Sequence, residues 1–471
     1  MKRLLRMALL AAGLAPLATT LPGEMQCCEL RYTLRPDPSS GVIDVVLTVH
    51  GYQGEALVLE RPSERPLVGL LTQDPEVEGA RHVRWDLVNG SPRWTYEGLS
   101  GSQQPIRINY RLPITAERPL NAWSVGLDRD LLYAPAEALF LLPVMPSQTA
   151  QHAPIRVRWE MPPDWELVTG WPNPSSFYGT RTLIKTDILA GQIERRNLSA
   201  CGIAIQLGVA GKWEFALDDV EQDVGDLVCA ARRRLGAPPV HRLAVMVAPA
   251  RFPVTSGNRN GPRAVGFVHW NDGQPPTARL LAHEIVHLWQ QFDAPTWFQE
   301  GVNDYLALRI ANEAGLITEE TFVGQLAEID AAYRRNPHHD RWTFAEERLQ
   351  ARPFGTSDAY LSYRKGAMVG LSLDREMRLR TGGEIDIAAL WREMNNRTTW
   401  GHVRWTDEEI FRRAAVLVSG GMENLFEQYV EGTETLPPSD ALLANLPPLP
   451  PPPTDRRGLG AVAAFLQATF D

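Results

Sequence analysis

The stretch Leu280-Leu281-Ala282-His283-Glu284-Ile285-Val286-His287-Leu288-Trp289 is apolar except at three positions, and those three carry the chemistry. Apolar neighbours on both sides predict a buried helix, running from Pro276 to Gln291. On such a helix His283 and His287, four residues apart, share one face. Two neutral imidazoles so placed can reach one metal ion, and Glu284 beside the first can face a water on it. Buried histidines and a buried acid need partners, and a metal supplies them. Zinc suits the set, because it accepts nitrogen and oxygen donors and leaves one position open.

A third ligand is then required. The turn-prone Asp293-Ala294-Pro295 interrupts the pattern. After it, Trp297-Phe298-Gln299-Glu300-Gly301-Val302-Asn303-Asp304-Tyr305 can fold back as a second helix, from Thr296 to about Ala314, stopping at Gly315. Glu300, thirteen positions beyond His287, is the expected third ligand for one Zn2+ ion. Asp304 lies four residues later on the same face, where it can accept the outer N–H of a ligand histidine and fix its tautomer. Glu284 is then the base that takes a proton as water attacks a carbonyl, and the acid that hands it to the leaving amine.

The 471 residues are too many for one compact core. The net charge of -9 argues against nucleic acid as a partner. At the N-terminus, Met1-Lys2-Arg3-Leu4-Leu5-Arg6 is basic, Met7 to Ala18 is apolar, and small residues follow. This is the pattern of a signal peptide over residues 1–20, so an exported protein, periplasmic or extracellular, is expected. No segment reaches the length of a transmembrane helix. The four cysteines, Cys27, Cys28, Cys201 and Cys229, allow three disulfide connectivities, and the adjacent pair is expected to bond to distant partners.

Short alternating runs such as Ile43–Val49, Ile106–Tyr110 and Ile155–Trp159, separated by turn residues, make residues 21–205 β-rich and sandwich-like. Helical periodicity takes over after about Trp213. Thr318 and Thr406 read as N-caps, the latter with Glu409 in a capping box. Asp358 to Arg380 reads as a long helix ended by Gly382-Gly383. Pro447 to Pro453 is a proline-rich spacer, and the apolar segment after it can dock on the body or on a partner.

The blocks His283-Glu284-x-x-His287-x-Trp289, Trp297-Phe298-Gln299-Glu300-Gly301 and Tyr363-Arg364-Lys365-Gly366-Ala367 occur in the order of gluzincin aminopeptidases. The sequence resembles the aminopeptidase N superfamily and, more closely, the glycyl aminopeptidases. The resemblance implies a multidomain α+β protein: a β-sandwich-like N-terminal domain, a thermolysin-like zinc domain over residues 206–315, a helical subdomain over 316–437, and a tail over 438–471. It implies a peptide or protein substrate, and Tyr363 as donor to the tetrahedral intermediate, with Tyr360 a nearby rival.

Two departures stand out. Twelve residues separate His287 from Glu300, a shorter spacer than the family uses, so a tight loop is expected. The family also sets a glutamate for the substrate's free amine on a strand before the zinc helix. The strand expected in that place, Val265-Gly266-Phe267-Val268-His269, has no carboxylate; Gly266 and His269 remain weak candidates for contacting substrate, with simple packing the favoured reading of His269. Gly420-Gly421-Met422-Glu423-Asn424 looks similar but lies after the zinc helix, and reads as a helix break. The expectation is a zinc peptidase, with exo- or endo-cleavage open. The rivals are a catalytically silent scaffold and a zinc hydrolase acting on another carbonyl or an epoxide.

Overall fold

A computed structural model describes residues 28–62, 73–88, 91–99, 105–145, 147–270, 274–350, 361–398 and 404–447. The expected signal peptide, Tyr360 and the chain from 448 onward lie outside the described residues. The chain is a multidomain α+β protein, with four sheets among the described residues. Among the described residues no helix is long and apolar enough to cross a membrane.

Side chains alternate across a strand, so an alternating sequence buries one face. Strand Val42–His50 buries Ile43, Val45, Leu47 and Val49. It pairs antiparallel with Glu29–Asp37 and with Ile106–Pro113 in a six-stranded sheet. A second sheet adds Leu57, Leu59, Trp94 and Tyr96 to the same core. In a third, strands Leu131–Pro135 and Asp187–Gly191 are buried at every residue. Leu132, Ala134, Ile188 and Ala190 face the N-terminal core, whereas Leu131, Tyr133 and Leu189 face the next sheet.

That next sheet holds Ile193–Ala200, Ile203–Ala210, Arg242–Pro249, Ala264–His269 and Ser256–Arg259, in that spatial order. Ser256–Arg259 is its antiparallel edge. One sheet face packs Met246, Ala248, Ala264 and Val268 against the third sheet. Two glycines allow this approach. A Cβ at Gly208 would stand 2.8 Å from Val168 Cγ2, and one at Gly266 2.3 Å from the Tyr133 hydroxyl. The other face packs Val245, Val247, Val265 and Phe267 into the core shared with helices Leu217–Leu235 and Ala278–His287.

Sheet membership corrects the expected boundary at 205, which falls inside strand Ile203–Ala210. The hairpin from Ile193 belongs to the later sheet because Ile203–Ala210 pairs in parallel with Arg242–Pro249. No break in packing follows residue 315 either: one core runs from Ala200 to Leu442. The start of the expected tail also packs on the body, with Ser439 N–H donating to Asp330 Oδ2 at 3.0 Å and Leu442 buried. Cys201 and Cys229 are disulfide-bonded to each other; Cys28 is disulfide-bonded as well, and Cys27, the other half of the adjacent pair, lies outside the described residues.

Helix signals in the sequence have physical counterparts. Thr318 caps Glu319–Arg335 by accepting from Thr321 N–H at 3.1 Å. Thr406 and Glu409 form the reciprocal capping box. Gly315, Gly382 and Gly383 have positive φ just after helices, and Gly420 and Gly421 do so between two others. The long helix Leu361–Arg380 crosses the turn Trp297–Val302 at a glycine contact. A Cβ at Gly366 would stand 2.4 Å from the Trp297 carbonyl oxygen, and one at Gly301 2.5 Å from Gly366 Cα. Backbone thus meets backbone, and Tyr363, one helical turn earlier, is carried to Glu300.

Candidate metal centre

The motif helix is Ala278–His287, capped by Thr277, whose hydroxyl accepts from Leu280 N–H at 3.3 Å. It ends sharply: the N–H groups of Leu288, Trp289 and Gln290 reach back only three residues, to the carbonyls of Ile285, Val286 and His287. A short connection then leads into a wide π-type turn over Trp297–Val302, continuous with helix Asn303–Glu313. Such turns recur at functional sites. Here the turn carries Glu300. The Asn303 amide donates to the His283 carbonyl at 3.0 Å and fastens the two helices together.

His283, His287 and Glu300 converge. The two imidazole Nε2 atoms are 3.2 Å apart, and Glu300 Oε2 lies 3.2 Å from that of His283 and 3.4 Å from that of His287. A tetrahedral zinc ion with donors at about 2.0–2.1 Å has ligand-to-ligand edges of about 3.3–3.4 Å. The three donor atoms therefore form one face of such a tetrahedron and leave the fourth corner open.

The outer nitrogens decide what the inner ones present. His283 Nδ1 is 2.9 Å from Asp304 Oδ1, and His287 Nδ1 is 3.0 Å from Gln290 Oε1. Both partners accept, so both Nδ1 atoms carry the proton and both Nε2 atoms aim lone pairs at one point. Two lone pairs and a carboxylate oxygen at such separations repel unless a cation lies among them. Titration has the same sign. Burial opposes charge on His283, yet Asp304 and Glu300 outweigh it and raise its pKa well above the ordinary imidazole value. Burial also works against the Glu300 carboxylate, but the imidazoles of His287 and His283 hold it well below the usual range. The donor set fits a divalent cation.

Asp304 is anchored from its other side by Arg279, which donates to Oδ2 at 2.6 Å. Burial pushes its carboxyl up, but His283 and Arg279 prevail and hold it at about 2. Gln290, unforeseen in the sequence, does the equivalent for His287. Its amide nitrogen donates to Phe292 O at 3.0 Å and to Gln299 Oε1 at 2.8 Å, which fixes its oxygen toward the ring. Its place three residues after His287 was the available clue. Replacing Gln290 by leucine is expected to weaken zinc binding by about 10–100-fold, by competition with a chelating dye, with the fold intact.

Glu284 is not among the converging donors; it is buried beside them, and burial raises its pKa above the ordinary carboxylate value. Edge strand Ser256–Arg259 presses on it. A Cβ at Gly257 would lie 2.4 Å from Glu284 Cγ, so only glycine allows this approach. The Tyr363 ring is nearly parallel to that of His283, with centroids 6.4 Å apart, and its phenol is hydrogen-bonded to Glu300.

Gly266 and His269, the weak candidates for substrate contact on Ala264–His269, both have packing roles, the favoured reading of His269. That strand is interior, paired on both sides. Gly266 serves the packing against Tyr133. His269 is buried and satisfied: Nδ1 stands 2.7 Å from the Thr255 hydroxyl, Nε2 donates to Gln274 O at 2.7 Å, and the ring stacks on Trp213. The strand bordering the centre is Ser256–Arg259, which also has no carboxylate and ends in Arg259.

The fold is similar to that of solved M1-type zinc metallopeptidases. An aminopeptidase N family protein from Idiomarina loihiensis superposes with a TM-score of 0.71 at 17% identity, covering 87% of this chain and 77% of that one. An M1 zinc metallopeptidase from Deinococcus radiodurans gives 0.52 at 18% identity, covering 90% and 96%. A mutant of the Deinococcus enzyme, bound to a Tyr-Ser-Ala substrate, gives 0.52 at 16% identity over 88% and 96%. At the level of sequence, no family and no curated protein matches the chain.

Proposed function

We propose that this protein is a zinc-dependent peptidase in which His283, His287 and Glu300 hold one ion on a thermolysin-like domain. The observation that carries the reading is the triangle of donor atoms, 3.2, 3.2 and 3.4 Å on its edges, with each imidazole locked from behind. A zinc ion bound there supplies Lewis acidity, making water a nucleophile near neutral pH and polarising a carbonyl.

The chain's own groups do the rest. Glu284 has no part in the donor triangle, and its raised pKa suits a group that accepts a proton at its carboxylate and returns it to a leaving amine. The Tyr363 phenol stays protonated, because burial and the nearby acids push its pKa far up, so it acts as a donor to a developing oxyanion. Asp304 and Gln290 orient the ligand rings. Likeness of fold to peptidases, one of them holding a tripeptide, supports peptides as the substrate class. The disulfide between Cys201 and Cys229 supports export, since such bonds persist in oxidising compartments.

Metal analysis of the purified full-length chain with peptide-library digestion tests this. About one zinc per chain is expected, with cleavage abolished by chelation and restored by added zinc. Protein that binds no zinc overturns the metal assignment. Stoichiometric zinc without cleavage of any peptide overturns the activity.

A further inference from the structure

Beside the metal centre lies a cavity of about 790 Å³. It is within the size range of small-molecule sites, roughly 300–1,000 Å³. Its charged lining is Arg181, Lys185, Arg259 and Arg263 against Glu137 and Asp293. Both acids are engaged: Lys185 pairs with Glu137 at 3.3 Å, and Arg404 with Asp293 at 3.7 Å. Among the described residues, the three arginines have no ion-pair partner within reach.

Arg259 links this cavity to the chemistry. Residues two apart on a strand share a face. Arg259 therefore shares the face of Gly257, the residue pressed against Glu284. Its Nη1 donates to the Gln290 carbonyl at 3.3 Å, directly behind the amide that holds His287. A guanidinium has five N–H groups, and this bond uses one. Glu284 and Glu300 attract it through space, and neither hydrogen-bonds to it. Burial lowers the pKa of both Arg259 and Arg263, so both charges are partly desolvated, and among the described residues neither has an acid in direct contact. An arrangement of that kind is costly unless an anion completes it. A planar fork suits a carboxylate, which it can bind bidentately.

We infer that this cavity is a carboxylate subsite of the substrate cleft, with Arg259 as the gripping residue and Arg181 and Arg263 supporting it. Resting on the peptidase reading, it gives that reading a substrate class: peptides that place a carboxylate within reach of the bond held at the metal centre. The carboxylate comes either from a free C-terminus or from an aspartate or glutamate side chain.

The test uses zinc-loaded, full-length Glu284→Gln protein, titrated calorimetrically with four tripeptides. Ala-Ala-Ala as free acid against its C-terminal amide probes the terminus. Ala-Glu-Ala amide against Ala-Gln-Ala amide probes the side chain. In one pair, the carboxylate is expected to improve affinity about tenfold or more. Arg259→Gln is expected to abolish that preference while zinc content and affinity for the neutral peptides stay unchanged. Arg263→Gln, farther from the centre, is expected to reduce it in part, and serves if Arg259→Gln fails to fold. Equal affinity within both pairs, no measurable binding by any peptide, or a preference that survives Arg259→Gln overturns the subsite. The two readings fail separately. Cleavage by wild type without a carboxylate preference leaves the peptidase standing and removes the subsite. A preference without cleavage by wild type does the reverse.

Discussion

Replacing Glu284 by glutamine is expected to lower kcat/KM by about 10²–10⁴ while the protein keeps its zinc. Glutamine has nearly the shape of glutamate, and shape is decisive here. Gly257 lies against this side chain so closely that a Cβ there would stand 2.6 Å from Glu284 Oε1. Any larger residue at 284 would displace the edge strand and confuse a structural effect with a chemical one. The amide keeps the volume and loses only the ability to accept and release a proton. Stability should hold or rise, because a buried acid with raised pKa is replaced by a neutral group. Turnover and zinc content, measured on the same preparation, decide the matter. Unchanged turnover removes Glu284 from the chemistry. Loss of zinc makes it a structural part of the metal centre instead.

The sequence displayed the candidate metal ligands because their pattern is local. Two histidines one turn apart on an apolar helix, and an acid on the next helix, need no knowledge of tertiary structure. Asp304 was legible for the same reason, lying four residues after Glu300. The strand bordering the site was not. Val265–His269 has the stronger apolar pattern, and strand propensity favoured it. That pattern instead marks an interior strand, buried from both faces. The true edge, Ser256–Arg259, is short and polar, as sheet edges tend to be. Pairing register, which no local signal encodes, places Gly257 and Arg259 beside the motif helix Ala278–His287. The misplaced boundary at 205 has the same origin, since the hairpin from Ile193 reads as one more antiparallel pair until its parallel neighbour is known. The short spacer after His287 is accommodated by the abrupt helix end and the π-type turn, the turn being held by backbone packing at Gly301 and Gly366.

Changing Tyr363 to phenylalanine is expected to reduce kcat by about 10²–10³ with KM altered only a few-fold. The hydroxyl is the sole difference, and the ring packing near His283 is retained. In the resting geometry the phenol donates to Glu300. Burial, then Glu300, Glu284 and Asp304, make its ionisation so unfavourable that it keeps its proton through the working pH range. A donor held this way can turn to charge that develops in the transition state, and an interaction made only there appears in kcat. A purely structural phenol behaves otherwise. If Tyr363 only steadies Glu300, the substitution weakens zinc affinity, and the zinc-saturated variant turns over at the parent rate. Measuring kcat at saturating zinc alongside the zinc dissociation constant separates the two. The glycine contact between Gly366 and Gly301 makes the comparison clean, because it fixes the helix carrying residue 363 through backbone alone, with no help from the hydroxyl.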